Sequence, residues 1–593
     1  MPRSTAEVAA AQATCDVLVG GGGINGVGIA RDLAGRGLRV VLCERDDLAA
    51  HTSSASTKLI HGGLRYLEYF EFGLVRKALQ EREVLLRSPP HIMWPLRFVM
   101  PHAPAMRPAW MIRAGLFLYD HLARRAWLPG SGTIDLRTHA AGAPLKADYT
   151  RGFIYSDGWV DDARLVALCA VDAAEHGATV LTRTACVEAV RSATGWQATL
   201  RTAAGAAQQV RARALVNAAG PWAERLLKST LRNADGQPPQ ERRSLRLVRG
   251  SHIVVPRLFT HDMAYIFQAG DGRIVFAIPY EHDFTLIGTT DVEVPSPDGA
   301  EICSDTEAAY LCAEVNRYFR TEVRPEHILW RYAGVRPLLE DHANTAAGPP
   351  QGGVSPLGGQ RSVGAVPAKA ATRDYKLELD HDGAPLLTVW GGKITTFRKL
   401  AEQAADQVSA ALGEPRPAWT HDAFLPGGDL SGVIGPATRP DTDFVRFVQT
   451  VQQRHPWLPQ ALAHRLARAY GSRIDQVLRT PEGQPATALP DLGARILPGL
   501  FEAELHYLQH VEWAQTADDV LWRRSKLGLH TTAAEQHALH DWFATQQSPA
   551  AQIPPCRVYG QHIRLQQSVD PDQTICVISE IPETSGQTPD ATS

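Results

Sequence analysis

Three glycines and one carboxylate are the first residues whose types and spacing could do chemistry. Gly21, Gly23 and Gly26 stand in a G-x-G-x-x-G spacing directly after the apolar run 15–19. In that pattern the first glycine permits a tight turn, the second leaves room for a pyrophosphate against bare backbone, and the third lets the next helix pack closely on the strand. The helix N-terminus adds unpaired N–H groups and the positive end of its dipole. Glu44 follows Gly26 by eighteen residues, at the end of a second apolar run, where an acid can hold a ribose hydroxyl. The stretch 52–68 is dense in hydroxyls, with two glycines and basic residues, which suits a loop laid along a long polar cofactor. Downstream, Asn217-Ala218-Ala219-Gly220 ends a strand of the kind that borders a nucleotide. Gly391-Gly392-Lys393-Ile394-Thr395-Thr396 again places glycines before a helix start.

These groups need a scaffold, and the apolar periodicity supplies one. Strand 15–19, helix 29–36 ending at Gly37 and strand 38–43 form a β-α-β start. A helical pattern over 69–87 stops at Ser88-Pro89-Pro90, and 160–180 reads as a helix followed by a strand. A meander over 185–200 leads to strand 214–217, and alternation typical of strands dominates about 225 to 380. Strand 386–390 and helix 397–412 return to the first part, and helical segments at 463–470, 500–510 and 516–528 follow. The fold class expected is α/β: a Rossmann-like dinucleotide-binding domain, an antiparallel-sheet substrate domain and a C-terminal helical cap.

Further motifs narrow the reading: Ala109-Trp110-Met111-Ile112-Arg113, Tyr155-Ser156-Asp157-Gly158, Gly250-Ser251-His252, Gly288-Thr289-Thr290-Asp291, Gly334-Val335-Arg336-Pro337 and Thr372-Arg373-Asp374-Tyr375. With them, and with Thr52 to Glu68, the chain resembles the FAD-dependent glycerol-3-phosphate dehydrogenases of aerobic glycerol use, over roughly residues 14 to 530. The resemblance implies FAD held by Gly21, Gly23, Gly26, Glu44, Ser53, Ser54, Ser56, Lys58, His61, Gly62, Val187, Ala219, Gly220, Gly392, Thr395 and Thr396. It implies glycerol 3-phosphate held by Arg65, Tyr66, Arg336, Arg373 and Lys393, with electrons leaving to a quinone. An arginine fork matches a phosphate well, so Arg336 is counted among the catalytic groups with His252 and Lys393. His252 titrates in the range of a general base, and Lys393 can stabilise negative charge on a reduced ring. The residues leave open which of the two takes the proton. The implied organisation is an FAD-binding domain at 14–225 with a helical excursion about 70–130, a substrate domain at 226–380, a return segment at 381–415, a helical domain at 425–545 and a disordered tail at 549–593. The Gly- and Pro-rich loop 344–369 is longer than the family's form.

With 593 residues, 44% hydrophobic and 21% charged, the chain can build two or three domains. A net charge of -3 gives no general attraction to nucleic acid, which argues against an RNA-binding flavoprotein. The eight cysteines show no C-x-x-C pair and no metal-ligand spacing, so no metal is expected and reduced thiols are. Residues 1–14 lack the apolar core of a signal peptide. No apolar run spans a bilayer. From 91 to 127, Trp94, Phe98, Trp110, Met111, Phe117 and Leu118 alternate with arginines. A packed helical excursion is the preferred reading there, and an amphipathic surface on anionic lipid the second. The expected setting is a cytoplasmic homodimer on the cytoplasmic face of the inner membrane. A rival of the same class uses oxygen as acceptor, and another is an amine or amino-acid oxidase of the same fold.

Overall fold

A computed structural model describes residues 13–103, 106–240, 243–340, 371–372, 374–546, 566–570 and 573–577. Strand β1 (Ala13–Gly20) lies between β2 (Val40–Cys43) and the strand Ala207–Asn217, parallel to both. Thr179–Leu181 extends this parallel sheet beside β2, and Leu386–Trp390 extends it beside Ala207–Asn217. Runs such as Val17-Leu18-Val19 are buried on both faces, as a covered parallel sheet requires. Helix α1 (Ile24–Gly35) and the helices Asp162–Glu175 and Phe397–Ala411 share one apolar core with the sheet. The Asp161 side chain accepts from the Arg164 N–H and starts the second of these.

The second sheet runs, in spatial order, Ala371–Thr372, Trp330–Glu340, Leu245–Pro256, Phe284–Gly288, Ile274–Tyr280, Ala264–Gln268, Met93–His102, Arg151–Val160 and Leu59–Ile60. It is wider than the substrate domain expected at 226–380, because four of its strands come from the part assigned to the nucleotide domain: Leu59–Ile60, Met93–His102, Gly132–Asp135 and Arg151–Val160. Lys376–Asp380 moves the other way and pairs with Leu386–Trp390 in the nucleotide sheet.

The stretch 70–130 is therefore not a purely helical excursion. Helices Phe72–Arg87 and Ala109–His121 flank the ten-residue strand Met93–His102. Pro95 and Pro101 exclude a helix there, and the strand pairs along its length with Arg151–Val160. Two of the side chains that the second reading placed on lipid are thereby packed within the protein, Phe98 fully buried and Trp94 half-buried. Phe98 is buried against Tyr155 and Phe276, and Trp94 packs on Trp159 with the Arg468 guanidinium 4.2 Å from its ring. Trp110, Phe117 and Leu118 are exposed.

The C-terminal part has its own core, built from Pro440–Arg454, Gln460–Tyr470, Glu502–Glu512 and Ala533–Gln546 with a small hairpin, Arg495–Leu497 and Leu500–Phe501. Within 549–593, where composition predicts disorder, Gln566–Asp570 pairs with Gln573–Val577. Loop 344–369 and Arg373 lie outside the described residues. The six cysteines whose side chains are described are free thiols, and all but Cys186 are buried. Among the described residues no helix is long and apolar enough to cross a membrane.

Candidate active site

A cleft of about 2360 Å³ runs between the two sheets, from Gly21, Glu44 and Arg45 at one end to His252, Arg336 and Lys393 at the other. Single-ligand pockets are usually ~300–1,000 Å³, so the space suits a long dinucleotide together with a substrate. At the first end the glycines play different parts. Gly21 has φ +116°, and a Cβ there would lie 2.6 Å from the Ala218 carbonyl oxygen. A Cβ on Gly26 would sit 1.8 Å from the Gly21 carbonyl oxygen, so only glycine lets α1 approach the turn. On Gly23 it would meet only the Ser53 hydroxyl, at 3.1 Å, which leaves that position bare towards the cleft. The Ser53 Oγ accepts from the Ile24 N–H at 2.9 Å. The Glu44 carboxylate accepts from the N–H groups of Gly22 (2.6 Å) and Asp46 (2.9 Å), and burial pushes its pKa up.

At the other end the second sheet presents one face to the cleft. Cross-strand register sets His252 opposite Tyr332 on one side and Gly288 on the other, and sets Val248 opposite Arg336. Residues two apart share a face, so His252, Gly250, Gly334, Tyr332 and Arg336 all belong to it. The glycines are gaps. A Cβ on Gly288 would lie 2.0 Å from the His252 ring, and one on Gly250 would lie 2.1 Å from Arg336 Nη2. The His252 ring stacks on Tyr332 at 4.9 Å, and its Nε2 is 2.9 Å from the Thr57 hydroxyl. Burial, with Arg336 and Lys58 nearby, holds its pKa well below the ordinary imidazole value, which keeps the ring neutral. The Arg336 guanidinium donates to Thr289 Oγ1 (3.0 Å) and the Thr290 carbonyl (3.1 Å), and it pairs with Asp291. Across the cleft, Lys393 Nζ lies 4.1 Å from the Tyr66 ring centroid, and Arg65 lines the same wall.

A family model described as FAD dependent oxidoreductase matches residues 16–398, and one described as the C-terminal domain of alpha-glycerophosphate oxidase matches 418–545. The chain is 48% identical over 533 residues to a glycerol-3-phosphate dehydrogenase of Pseudomonas aeruginosa, covering 90% of this chain and 95% of that one. It is 44% identical over 539 residues to the aerobic glycerol-3-phosphate dehydrogenase of Escherichia coli, covering 90% and 98%. The chain belongs to the FAD-dependent glycerol-3-phosphate dehydrogenase family. It is an oxidoreductase, and its cofactor is FAD. A D-erythritol 1-phosphate dehydrogenase of Brucella abortus is also similar, 47% identical over 532 residues, covering 89% and 98%. The solved glycerol-3-phosphate dehydrogenase of Bacillus halodurans complexed with FAD shares the fold, with a TM-score of 0.64, 24% identity and coverage of 91% and 97%.

The residues present fit FAD, because the bare Gly23 position, Glu44 and the Gly392–Thr395 turn line one continuous cleft, and that turn abuts the start of α1, where the Asn25 side-chain amide donates to the Gly391 carbonyl at 3.2 Å. Of the positions expected to hold it, Ser53, Ser56, His61, Val187, Ala219, Gly220, Gly392 and Thr395 line that cleft. Four others turn away from it. Lys58 is wholly buried, with Nζ on Asp162 (2.7 Å) and the Ser54 carbonyl (3.1 Å), and so braces the loop from beneath. The Ser54 hydroxyl donates back to the His51 carbonyl. The Gly62 N–H donates to the Tyr119 hydroxyl, and its Cα faces Leu79 and Tyr119. Thr396 is buried at the start of helix Phe397–Ala411.

Sequence reasoning did not single out Thr57, Tyr332 or Asp291. Asp291 ends the motif Gly288-Thr289-Thr290-Asp291 and Thr57 stands in the hydroxyl-rich loop, so both carried a signal. Tyr332 carried none, because only the strand register places it on His252.

Proposed function

We propose that the protein oxidises sn-glycerol 3-phosphate to dihydroxyacetone phosphate and passes the electrons to a quinone. The observation that carries this is the placement of an arginine and a neutral, buried histidine on one sheet face, across from Lys393 and Tyr66, at the end of the FAD cleft. Arg336 binds the substrate phosphate, exchanging its Asp291 contact for a phosphate oxygen. His252 accepts the proton of the secondary hydroxyl at Nε2, where the substrate hydroxyl takes the place of the Thr57 hydroxyl that contacts this nitrogen at 2.9 Å. Stacking on Tyr332 holds the ring plane, and Lys393 offers positive charge to the electron-rich side of the site. Arg65 and Tyr66 close the wall opposite the sheet. Bound FAD supplies the two-electron acceptor for the hydrogen on the carbinol carbon.

The quinone reading draws support from the surface beside the cleft mouth. Tyr69, Phe70 and Phe72 are exposed there, and Trp110, Phe117 and Leu118 on helix Ala109–His121 are exposed as well, with Arg76 and Arg124 also at the surface. Such a surface suits reversible rest on anionic lipid. Homodimer formation and a place at the inner membrane belong to the same proposal.

A second substrate, a four-carbon polyol phosphate, is favoured by one finding: identity to the erythritol 1-phosphate enzyme is as high as to the glycerol 3-phosphate enzymes. Anaerobic bleaching of the flavin by glycerol 3-phosphate, erythritol 1-phosphate and free glycerol separates these readings. Fast bleaching by glycerol 3-phosphate alone supports the first. Bleaching only by the tetritol ester replaces it, and bleaching by free glycerol refutes the role given to Arg336. Peroxide yield in air, with and without a quinone analogue, separates the dehydrogenase from an oxidase.

A further inference from the structure

The C-terminal helical domain contributes nothing to the cleft wall: among the described residues, none after Thr395 lines it. Yet this domain reaches the dinucleotide end by another route. Asp47 lies three residues after Glu44, in the loop that wraps the glycine turn, and its carboxylate is buried. Arg524 grips it with two hydrogen bonds, 2.6 Å and 2.8 Å, and Arg523 Nε adds a third at 2.6 Å. Arg524 also donates to the Glu512 carbonyl, which ties the fork to helix Glu502–Glu512. Arg523 pairs with Asp519, and Asp519 takes Arg183 at 2.8 Å from the turn between two strands of the nucleotide sheet.

From Asp47 the loop connects straight to the cofactor end. The Ala49 N–H donates to the Gly22 carbonyl, the Gly22 N–H donates to Glu44, and the Glu44 backbone is held by Leu181 and Thr184. The loop residues Glu44, Arg45, Ala49, Ala50, His51, Thr52 and Ser53 all line the cleft.

We infer that Arg523 and Arg524 are positioning residues for FAD, which act through Asp47 by holding the loop between Glu44 and Ser53 in its binding shape. A buried carboxylate stripped of its arginine partners must rehydrate or find new ones, and the loop then loosens around the glycine turn. Coupling between two sites is reciprocal, so FAD in the cleft also tightens the 512–526 segment, although it touches none of it.

The test uses the full-length protein with its FAD reversibly removed. Arg524→Gln should weaken FAD binding about tenfold or more in a fluorescence titration, and Arg524→Lys should recover part of that by restoring charge without the fork. Arg473→Gln is the control. It breaks another ion pair between the C-terminal and nucleotide domains, with Glu175 at 2.6 Å, away from the loop. It should lower Tm and leave FAD affinity as it was. In the wild type, adding FAD should slow amide hydrogen exchange across 512–526. Equal effects of the Arg524 and Arg473 substitutions on FAD affinity, or no effect of Arg524→Gln, overturn the inference. If the Arg524 variants fail to fold, the exchange measurement decides alone, and unchanged exchange at 512–526 on FAD addition overturns it.

Discussion

Gly250 offers a way to disable Arg336 without touching it. A methyl group there would lie 2.1 Å from Arg336 Nη2 and 2.9 Å from its Cζ, so the guanidinium must retreat by roughly 1.5 Å to regain ordinary van der Waals separation. The obstacles are the far end of the Arg336 side chain and the Thr289 hydroxyl, which would lie 2.7 Å away; both are side-chain atoms that can turn aside, so the strand itself stays in register and the fold survives. The retreat strips Arg336 of its contacts to Thr289 Oγ1 and the Thr290 carbonyl and takes it away from the place proposed for the phosphate. A charge-assisted hydrogen bond is worth about 1.5–3 kcal/mol, which is about ten- to a hundredfold in affinity. Gly250→Ala should therefore raise KM for glycerol 3-phosphate by that factor, leave FAD content unchanged and shift Tm little. Arg336→Ala should do the same, and the double variant should be no worse than the worse single one, because both remove one interaction. Steady-state dye reduction across substrate concentration, with flavin content read from absorbance, provides the numbers. An unchanged KM in Gly250→Ala, or additive losses in the double variant, would refute the placement of the phosphate on Arg336.

Three further outcomes follow from the same geometry. Gly23→Leu should give a folded but colourless protein, because the side chain would fill bare cleft wall with only Ser53 nearby; a yellow variant counts against the pyrophosphate position. His91 is held well below the ordinary imidazole pKa by burial and by Arg164, Arg468 and Arg473, and His464 is pulled to about 4 by burial, then Arg468 and His282. Both rings stay neutral when folded and protonate more readily when unfolded. Stability is therefore whole above about pH 6.5 and declines as pH falls from there towards the folded values. Tm should track that decline and His464→Phe should lessen it, whereas a flat wild-type profile contradicts the assignment. Vesicles with anionic lipid should sediment the protein at low salt and release it at high salt, and Phe70→Ser with Trp110→Ser should weaken the binding; protein that stays in the supernatant throughout points to a soluble acceptor.

The nucleotide end was legible in the sequence because its signals are local: strand, glycine turn, helix and acid follow within about thirty residues. The substrate end was legible only as motifs. His252 acquires its neighbours through strand register, with Tyr332 eighty positions downstream and Gly288 on the other side, and no single stretch encodes that. Lys58 looked like a cofactor contact because it sits among hydroxyls that line the cleft, yet Asp162, 104 residues on, draws it into the interior. The strand Met93–His102 hid among aromatic and arginine residues that fit a helix pattern, and only Pro95 and Pro101 spoke against one. Arg523 and Arg524 meet Asp47 across 476 and 477 positions, a distance over which charge pairing leaves no pattern to read.

The interleaving of the two sheets bears on how the protein is made. The nucleotide sheet begins with Ala13–Gly20 and is completed by Leu386–Trp390, while the second sheet takes its earliest strand from Leu59–Ile60 and its latest from Ala371–Thr372. A ribosome must therefore release nearly all of that length before either sheet can close. Until then, half-built sheets wait with unpaired edges, the kind of species prone to sticking together. Such long-range pairing makes for slow folding. No early fragment of the chain is a self-sufficient unit, so nascent chains of this protein should depend on chaperones that shield open strand edges during synthesis.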